Sequence, residues 1–219
     1  MKILVACIIQ LVTALAAYQY MTCRVDGKLQ TKELLRLKLD WKSLTVVSAA
    51  FVISVCILIK GLVWDQDGFV RSLMNAEVLI GLSVMGYIDL REKIIPNGLI
   101  GVGLLLWAAL LLIDIFVAKT PWADVLKFSL LGGIAVGGGL FLIALFGKSA
   151  LGMGDVKMFL VLGLLYGLSD AYSILLFSLI IMAIVSLVLL ATKKVTVKTS
   201  IPVAPFVVLG FILCIIAGM

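Results

Sequence analysis

The chain has 219 residues, of which 63% are hydrophobic and 14% are charged. Soluble domains are about 45–50% apolar and about 25% charged, so this composition excludes an ordinary soluble domain and predicts a membrane protein. The apolar runs are continuous rather than alternating, which excludes a β-barrel and favours helices. The net charge of +6 comes from basic residues in short segments between these runs, so it does not indicate a nucleic-acid partner.

A helix needs about 20 apolar residues to cross the core of a bilayer. We count eight apolar runs, and we therefore predict an all-α, polytopic transmembrane bundle of about eight spans that forms one domain over residues 1–219. The predicted spans run approximately Ile3–Tyr20, Leu44–Trp64, Leu73–Asp89, Gly98–Val117, Val125–Gly147, Asp155–Gly167, Ala171–Ala191 and Pro202–Met219.

The segment 22–43 between the first two spans is strongly basic. Under the positive-inside rule such a segment faces the cytoplasm. Its apolar residues recur at helical spacing, which favours an amphipathic helix over Lys28–Leu44 at the headgroup surface, with an ordinary solvated connector as the alternative. A strand is disfavoured because it would have no partner. The basic residues are Arg24, Lys28, Lys32, Arg36, Lys38 and Lys42.

Two aspartates, Asp89 and Asp155, lie at the boundaries of apolar spans. An aspartate at the centre of a membrane helix costs roughly 2.5–3.5 kcal/mol, so an acid near a membrane is hydrated, paired or functional. Two predicted spans separate the pair, and an even number of crossings returns the chain to its starting face. The distribution of basic residues makes that face cytoplasmic.

Two carboxylates in a poorly hydrated site cannot both ionise cheaply, so they share a proton. One can then act as a base towards water while the other protonates a leaving amide nitrogen. This chemistry needs no metal or cofactor. The chain has no histidine and no C-x-x-C pair, which disfavours a metal site and histidine-based catalysis. A Ser-Lys dyad stays open on residue types alone.

Further residues are candidates for shaping the site. Gly152 and Gly154 allow close approach of a substrate backbone. Pro96 and Asn97 mark the stop and restart between the third and fourth spans. We expect a structural hydrogen-bonding role for Glu77. The glycines of the fifth span predict close helix packing and lie at Gly132, Gly133, Gly137, Gly138 and Gly139.

Three stretches resemble the motifs of one family. Residues Gly152–Lys157 resemble the G-x-G-D-x-K signature of bacterial prepilin peptidases and archaeal preflagellin peptidases, the type IV leader peptidases. Asp89–Asn97 resembles their first catalytic motif, and Ile201–Phe206 resembles their late I-P-x-x-P-F motif. The three occur in family order within a catalytic core over residues 73–219. The G-x-G-D core also occurs in presenilin and signal peptide peptidase, which usually have tyrosine before the first aspartate, where this chain has Ile88.

The resemblance implies a function and a set of site residues. Asp89 and Asp155 would be catalytic, with Lys157 among the residues that shape the site. The substrate would be a prepilin-like or preflagellin-like precursor, cut after its short basic leader at the cytoplasmic face of a prokaryotic cell membrane. Bifunctional relatives carry paired C-x-x-C zinc ligands in the first loop, whereas the loop at 22–43 has only Cys23. This departure predicts that N-methyltransferase activity is absent.

Other classes of protein stay open as alternatives. A proton-coupled transporter could use the same aspartates as proton sites. Internal repeats would favour that class, and we find none convincing. A non-catalytic assembly factor is the third possibility. The sequence carries no indication of oligomeric state.

Overall fold

A computed structural model of the chain describes residues 2–22, 24–25, 28–29, 40–63, 68–116, 121–147, 152–193 and 201–218. Within these ranges nearly every residue is helical, which confirms the all-α fold class. Most of the basic segment 22–43, including Cys23 and residues 30–39, lies outside the described residues.

The described elements follow one another as long helices with short connections. In chain order they are α1 (Lys2–Thr22), β1 (Arg24–Val25), β2 (Lys28–Leu29), α2 (Trp41–Val63), α3 (Phe69–Glu92), α4 (Asn97–Phe116), α5 (Trp122–Gly132), a π-helical segment (Gly133–Gly138), α6 (Gly139–Phe146), α7 (Met153–Ala191) and α8 (Ala204–Ala217).

The chain divides into two compact units, which are described separately. Residues 1–94 contain helices α1 to α3, and residues 95–217 contain helices α4 to α8. Asp89 therefore belongs to the first unit and Asp155 to the second.

Two alanines help the three helices of the first unit to pack closely. Ala6 of α1, Leu58 of α2 and Ala76 of α3 form a fully buried cluster. Packing of small residues is a main source of helix association in lipid, where the burial of apolar surface provides little driving force for association. Polar side chains are buried in the same unit, among them Gln10 of α1 and Ser54 of α2.

Glycines bring the helices of the second unit together. The main chain at Gly132 lies directly against Gly163 of α7, and a Cβ at Gly137 would overlap Leu160. The predicted close packing is thus confirmed at Gly132, Gly133 and Gly137. It is not found at Gly138 and Gly139, where an added Cβ would meet at most Ile134 of the same helical stretch. The π-helical segment coincides with this glycine-rich stretch.

Helix α8 packs along α7. The space beside Gly210 is filled by Ser178 and Ile174, and the Phe211 ring meets Tyr166 edge-on with centroids 5.6 Å apart. The late motif opens this helix: the carbonyl of Val203 accepts hydrogen bonds from the first-turn amides, and α8 begins at Ala204.

The predicted number of spans is corrected. Among the described residues, six helices are long and apolar enough to cross a membrane, and α8 is a shorter apolar helix, which makes six to seven rather than eight. The predicted sixth and seventh spans both lie in α7. This element consists of two helices joined across a kink at Gly167, with φ 72° and ψ −169°, so the helical geometry breaks where the sixth span was predicted to end. Residues 168–170, which were expected to connect the two spans, are helical. The φ at Gly167 strongly favours glycine, and a Cβ there would also overlap the Phe128 ring.

The predicted amphipathic helix over Lys28–Leu44 is wrong at both of its ends. Lys28–Leu29 pairs antiparallel with Arg24–Val25, so the strand has a partner four residues upstream. Trp41–Leu44 forms the first turn of α2, because the apolar periodicity there continues directly into the second span.

Candidate active site

Asp89 lies near the C-terminal end of α3 and is buried, with 5% of its surface exposed. The helix ends at Glu92, and its C-cap Lys93 adopts left-handed angles of φ 55° and ψ 36°. The Lys93 amide donates a hydrogen bond to the Asp89 carbonyl over 2.9 Å. A left-handed residue with such a bond is a common helix C-cap, so the backbone of the Asp89 turn is closed before the chain leaves the helix.

A polar network surrounds this end of α3. Arg91 Nη1 donates to the Tyr87 hydroxyl over 3.0 Å, and its guanidinium lies 5.4 Å from the centre of the Tyr87 ring. The Tyr87 hydroxyl lies 3.3 Å from Ser43 Oγ of α2. Ser43 Oγ donates to Asp40 Oδ2 over 2.6 Å. The backbone amide of Asp40 donates to the Tyr18 hydroxyl of α1 over 3.0 Å. All three helices of the first unit are therefore connected through polar side chains.

Asp40 caps the start of α2. Its carbonyl accepts from the Leu44 amide over 2.9 Å, and its side chain accepts from the Lys42 amide over 3.3 Å. The hydrogen bond from Ser43 holds the pKa of the Asp40 carboxyl below its usual range, with smaller contributions from the Lys42 amide and Arg91 against the opposing effect of burial. The ion pair with Arg91 is long at 3.9 Å and exposed, so it contributes little by itself.

Asp155 lies in the first turn of α7 and is partly buried. Gly152 precedes the helix in an extended conformation, and its carbonyl accepts from the Asp155 and Val156 amides over 3.1 and 3.3 Å. A Cβ at Gly152 would lie 3.0 Å from Asp155 Oδ2, so the carboxylate occupies the space that a side chain would need. The amides at a helix N-terminus also favour a negative charge there.

The start of α7 lies against the segment that begins α4, within the second unit. A Cβ at Gly154 would lie 2.9 Å from the Cβ of Ile95, so only glycine permits this approach. Lys157 Nζ donates to Asn97 Oδ1 over 3.0 Å. Pro96 is buried, and its carbonyl accepts from the first amides of α4. As predicted, the helical structure resumes at Asn97, where α4 begins.

The second unit therefore brings most of the predicted site residues together: Gly152, Gly154, Asp155, Lys157, Pro96 and Asn97. Asp89 lies in the first unit, with α4 and the continuous stretch α5–α6 between it and Asp155 in the chain. Glu77 lies about three turns before Asp89 and is partly buried, and its Oε1 has no hydrogen-bond partner among the described residues, so its structural hydrogen-bonding role stays a prediction.

Sequence reasoning missed Ile95 and the network around Tyr87. Two signals were present. Asp40 lies a few residues before the predicted span that begins at Leu44, a position typical of a helix N-cap. Tyr87 and Arg91 are four residues apart and so share one face of α3. No sequence signal identified Ile95, because its contact depends on how α4 and α7 pack.

Compared with known protein families, residues 77–187, just over half of the chain, match the type IV leader peptidase family. The matched range contains both Asp89–Asn97 and Gly152–Lys157. No curated protein and no solved structure matches the chain significantly. Since the family match extends over more than half of a chain rich in membrane-crossing helices, this protein is a membrane protease that belongs to the type IV leader peptidase family.

Proposed function

We propose that this protease is an aspartic endopeptidase that removes the short basic leader from prepilin-like or preflagellin-like precursors, with Asp89 and Asp155 as its two catalytic carboxylates. The observation that carries the proposal is the packing of two family motifs against each other. The turn that bears Asp155 touches Ile95, and Lys157 bonds to Asn97, six and eight residues after Asp89. Together with the family match, this contact supports a site built from both motifs.

The chemistry follows from a pair of carboxyl groups that share one proton. The ionised carboxylate removes a proton from water, and the resulting hydroxide adds to the scissile carbonyl carbon. The protonated carboxyl hydrogen-bonds to the carbonyl oxygen, and a proton is then delivered to the amide nitrogen as the C–N bond breaks. A positioned acid and base of this kind typically contribute 10²- to 10⁴-fold in rate.

We place the reaction at the cytoplasmic face. Helix α4 and the stretch α5–α6 are each long and apolar enough to cross a membrane, and two crossings would return the chain at Asp155 to the face where Asp89 lies. The basic segment 22–43 favours that face as cytoplasmic. A precursor whose basic leader stays in the cytoplasm would present its cleavage site at this interface. The short first loop, with Cys23 as its single cysteine, supports cleavage without N-methylation.

The proposal is tested with purified protein in liposomes and synthetic precursors, followed by intact-mass measurement of the products. Asp89→Asn and Asp155→Asn should each lower cleavage by about 10²-fold or more at equal amounts of folded protein. Asp114→Asn is the matched control, because Asp114 is an exposed aspartate near the far end of α4. This variant should cleave the precursor at the same rate as the unmodified protein.

Cleavage near the unmodified rate by either aspartate variant would contradict the aspartic mechanism. Addition of a methyl group to the new N-terminus, in the presence of a methyl donor, would contradict the loss of methyltransferase activity. If the unmodified protein cut none of the precursors, the peptidase proposal would fail for those substrates, and proton uptake by the liposomes would test the transporter alternative.

A further inference from the structure

The polar network formed by Arg91, Tyr87, Ser43 and Asp40 bonds to the same end of α3 that carries Asp89. We infer that Tyr87, Ser43 and Asp40 position Asp89 for catalysis, an inference that rests on the catalytic role proposed above. None of the three is proposed to touch the substrate. They act through the last turns of α3.

The geometry of the helix explains how the network can hold Asp89 without contacting it. Tyr87 and Arg91 lie two residues before and two residues after Asp89. At 100° per residue, both point to the side of α3 opposite Asp89 and within about 40° of each other. The network therefore fixes the side of the turn that contacts the start of α2, while Asp89 is buried on the opposite side.

The hydrogen bonds of the network run in one direction. Ser43 has a single hydroxyl hydrogen, and the short 2.6 Å bond directs it to the Asp40 carboxylate. The Tyr87 hydroxyl must then donate to Ser43 across the 3.3 Å contact, and Arg91 donates to Tyr87. Such a chain, from a cation through two hydroxyls to an anion, polarises each bond in turn and is stronger than separate neutral bonds.

The other end of the network is rigidly placed. Ser43 is fully buried in the first turn of α2, and the Tyr18 hydroxyl of α1, also buried, accepts the Asp40 amide. Apolar contacts between helices in lipid allow small rotations, because one methyl group replaces another at little cost. A directional hydrogen bond to a buried partner sets both the rotation and the axial position of α3. Reaction rates respond steeply to such placement.

Removing one hydroxyl tests this inference. In Tyr87→Phe the ring stays and only the hydrogen bonds are lost, and Ser43→Ala removes the other side of the same contact. Each should lower kcat about three- to tenfold per folded molecule while KM changes less than twofold. Because both act through one chain of bonds, the double variant should lose no more than the larger single loss. Asp40→Asn keeps the helix cap and should lose less than Ser43→Ala.

Tyr172→Phe is the matched control, since Tyr172 is an exposed tyrosine on α7. It should change neither kcat nor KM. A purely structural role for the network would lower the folded fraction and the melting temperature of Tyr87→Phe but leave kcat per folded molecule unchanged, and that result would overturn the inference. Additive losses in the double variant would also contradict the connected chain of bonds.

Amide hydrogen exchange provides a readout that needs no substrate. In Tyr87→Phe, exchange should accelerate in the peptide that covers residues 85–93 and stay unchanged in the part of α3 before Val84. Exchange in 85–93 equal to that of the unmodified protein would overturn the inference even if cleavage fell. If the unmodified protein cut no precursor, the proposed function would fail, while accelerated exchange at 85–93 would still support the anchoring of the Asp89 turn.

Discussion

Asp89 and Asp155 lie at opposite kinds of helix end, and the two ends are held by opposite means. The last turns of α3 are held by side chains, through the contacts of Tyr87 and Arg91 with the start of α2. The first turn of α7 is held by close backbone approach, because the missing side chain at Gly154 lets the helix reach Ile95, and Lys157 adds one hydrogen bond to Asn97. The same contrast extends to the packing of each unit. Among the described residues, most buried polar side chains lie in the first unit, whereas close glycine contacts between helix backbones lie in the second.

The difference predicts how each region responds to change. A hydrogen bond between side chains contributes about 0.5–1.5 kcal/mol, and its loss leaves the helices in contact. A methyl group added where two backbones touch has no space, and the backbone itself must move. We therefore expect small, graded effects around Asp89 and large steric effects around α7.

The largest effect is expected for Gly163→Ala. The new Cβ would overlap the backbone of Gly132 and Gly133, which no side-chain rotation can relieve. We expect a loss of about 3 kcal/mol or more in the free energy of unfolding, at the upper end of overpacking costs. Thermal unfolding in detergent measures it, with Gly139→Ala as the control because its Cβ would meet open space. Equal melting temperatures for the two variants would refute glycine-mediated packing of the second unit.

A smaller effect, concentrated on activity, is expected for Gly154→Ala. Its Cβ would lie 2.9 Å from the Cβ of Ile95, so the Asp155 turn must move away from the start of α4. We expect at least tenfold slower cleavage with a stability loss of about 1–2 kcal/mol. Gly101→Ala, at an open position in α4, is the control. Adding Ile95→Gly should recover part of the activity, and a lack of any recovery would exclude this contact as the cause.

The bond between Lys157 and Asn97 should give a modest coupling. Both side chains are exposed, so a double-mutant cycle with Lys157→Met and Asn97→Ala should yield about 0.5–1 kcal/mol in the free energy of unfolding. Cleavage rates of the same four proteins give the coupling in the transition state. Strictly additive effects in both measurements would show that the two residues act independently.

The smallest effect, and the only stabilising one, is expected for Lys93→Gly. Lys93 adopts a left-handed conformation with φ 55°, which glycine reaches without the steric cost that a side chain brings. We expect a gain of about 1 kcal/mol or less in the free energy of unfolding. A new glycine in Lys93→Gly would then stabilise the end of α3, whereas the new methyl group in Gly154→Ala would disrupt the start of α7. The two variants together test the difference between the two helix ends. A lower melting temperature for Lys93→Gly would mean that the lysine side chain stabilises this helix end.

Much of the architecture could be predicted because it depends on local pattern. Continuous apolar runs predicted six helical stretches with ends within a few residues of those observed, since a chain in lipid must satisfy its own backbone hydrogen bonds. The predicted end of the sixth span at Gly167 coincides with the kink in α7, but the connection expected over residues 168–170 is helical. The prediction failed at Lys28–Leu29, where a strand finds its partner four residues upstream.

The sequence by itself determined the membrane class, the helical fold and the motif residues at Asp89, Gly152, Gly154, Asp155 and Lys157, because composition, periodicity and spacing are properties of the chain alone. Only the tertiary structure decided that Ile95 fills the space left at Gly154 and that Tyr87 reaches Ser43. The physical reason is that both contacts join residues more than 40 positions apart. Their existence depends on the rotation and axial placement of whole helices, which packing sets and local pattern does not.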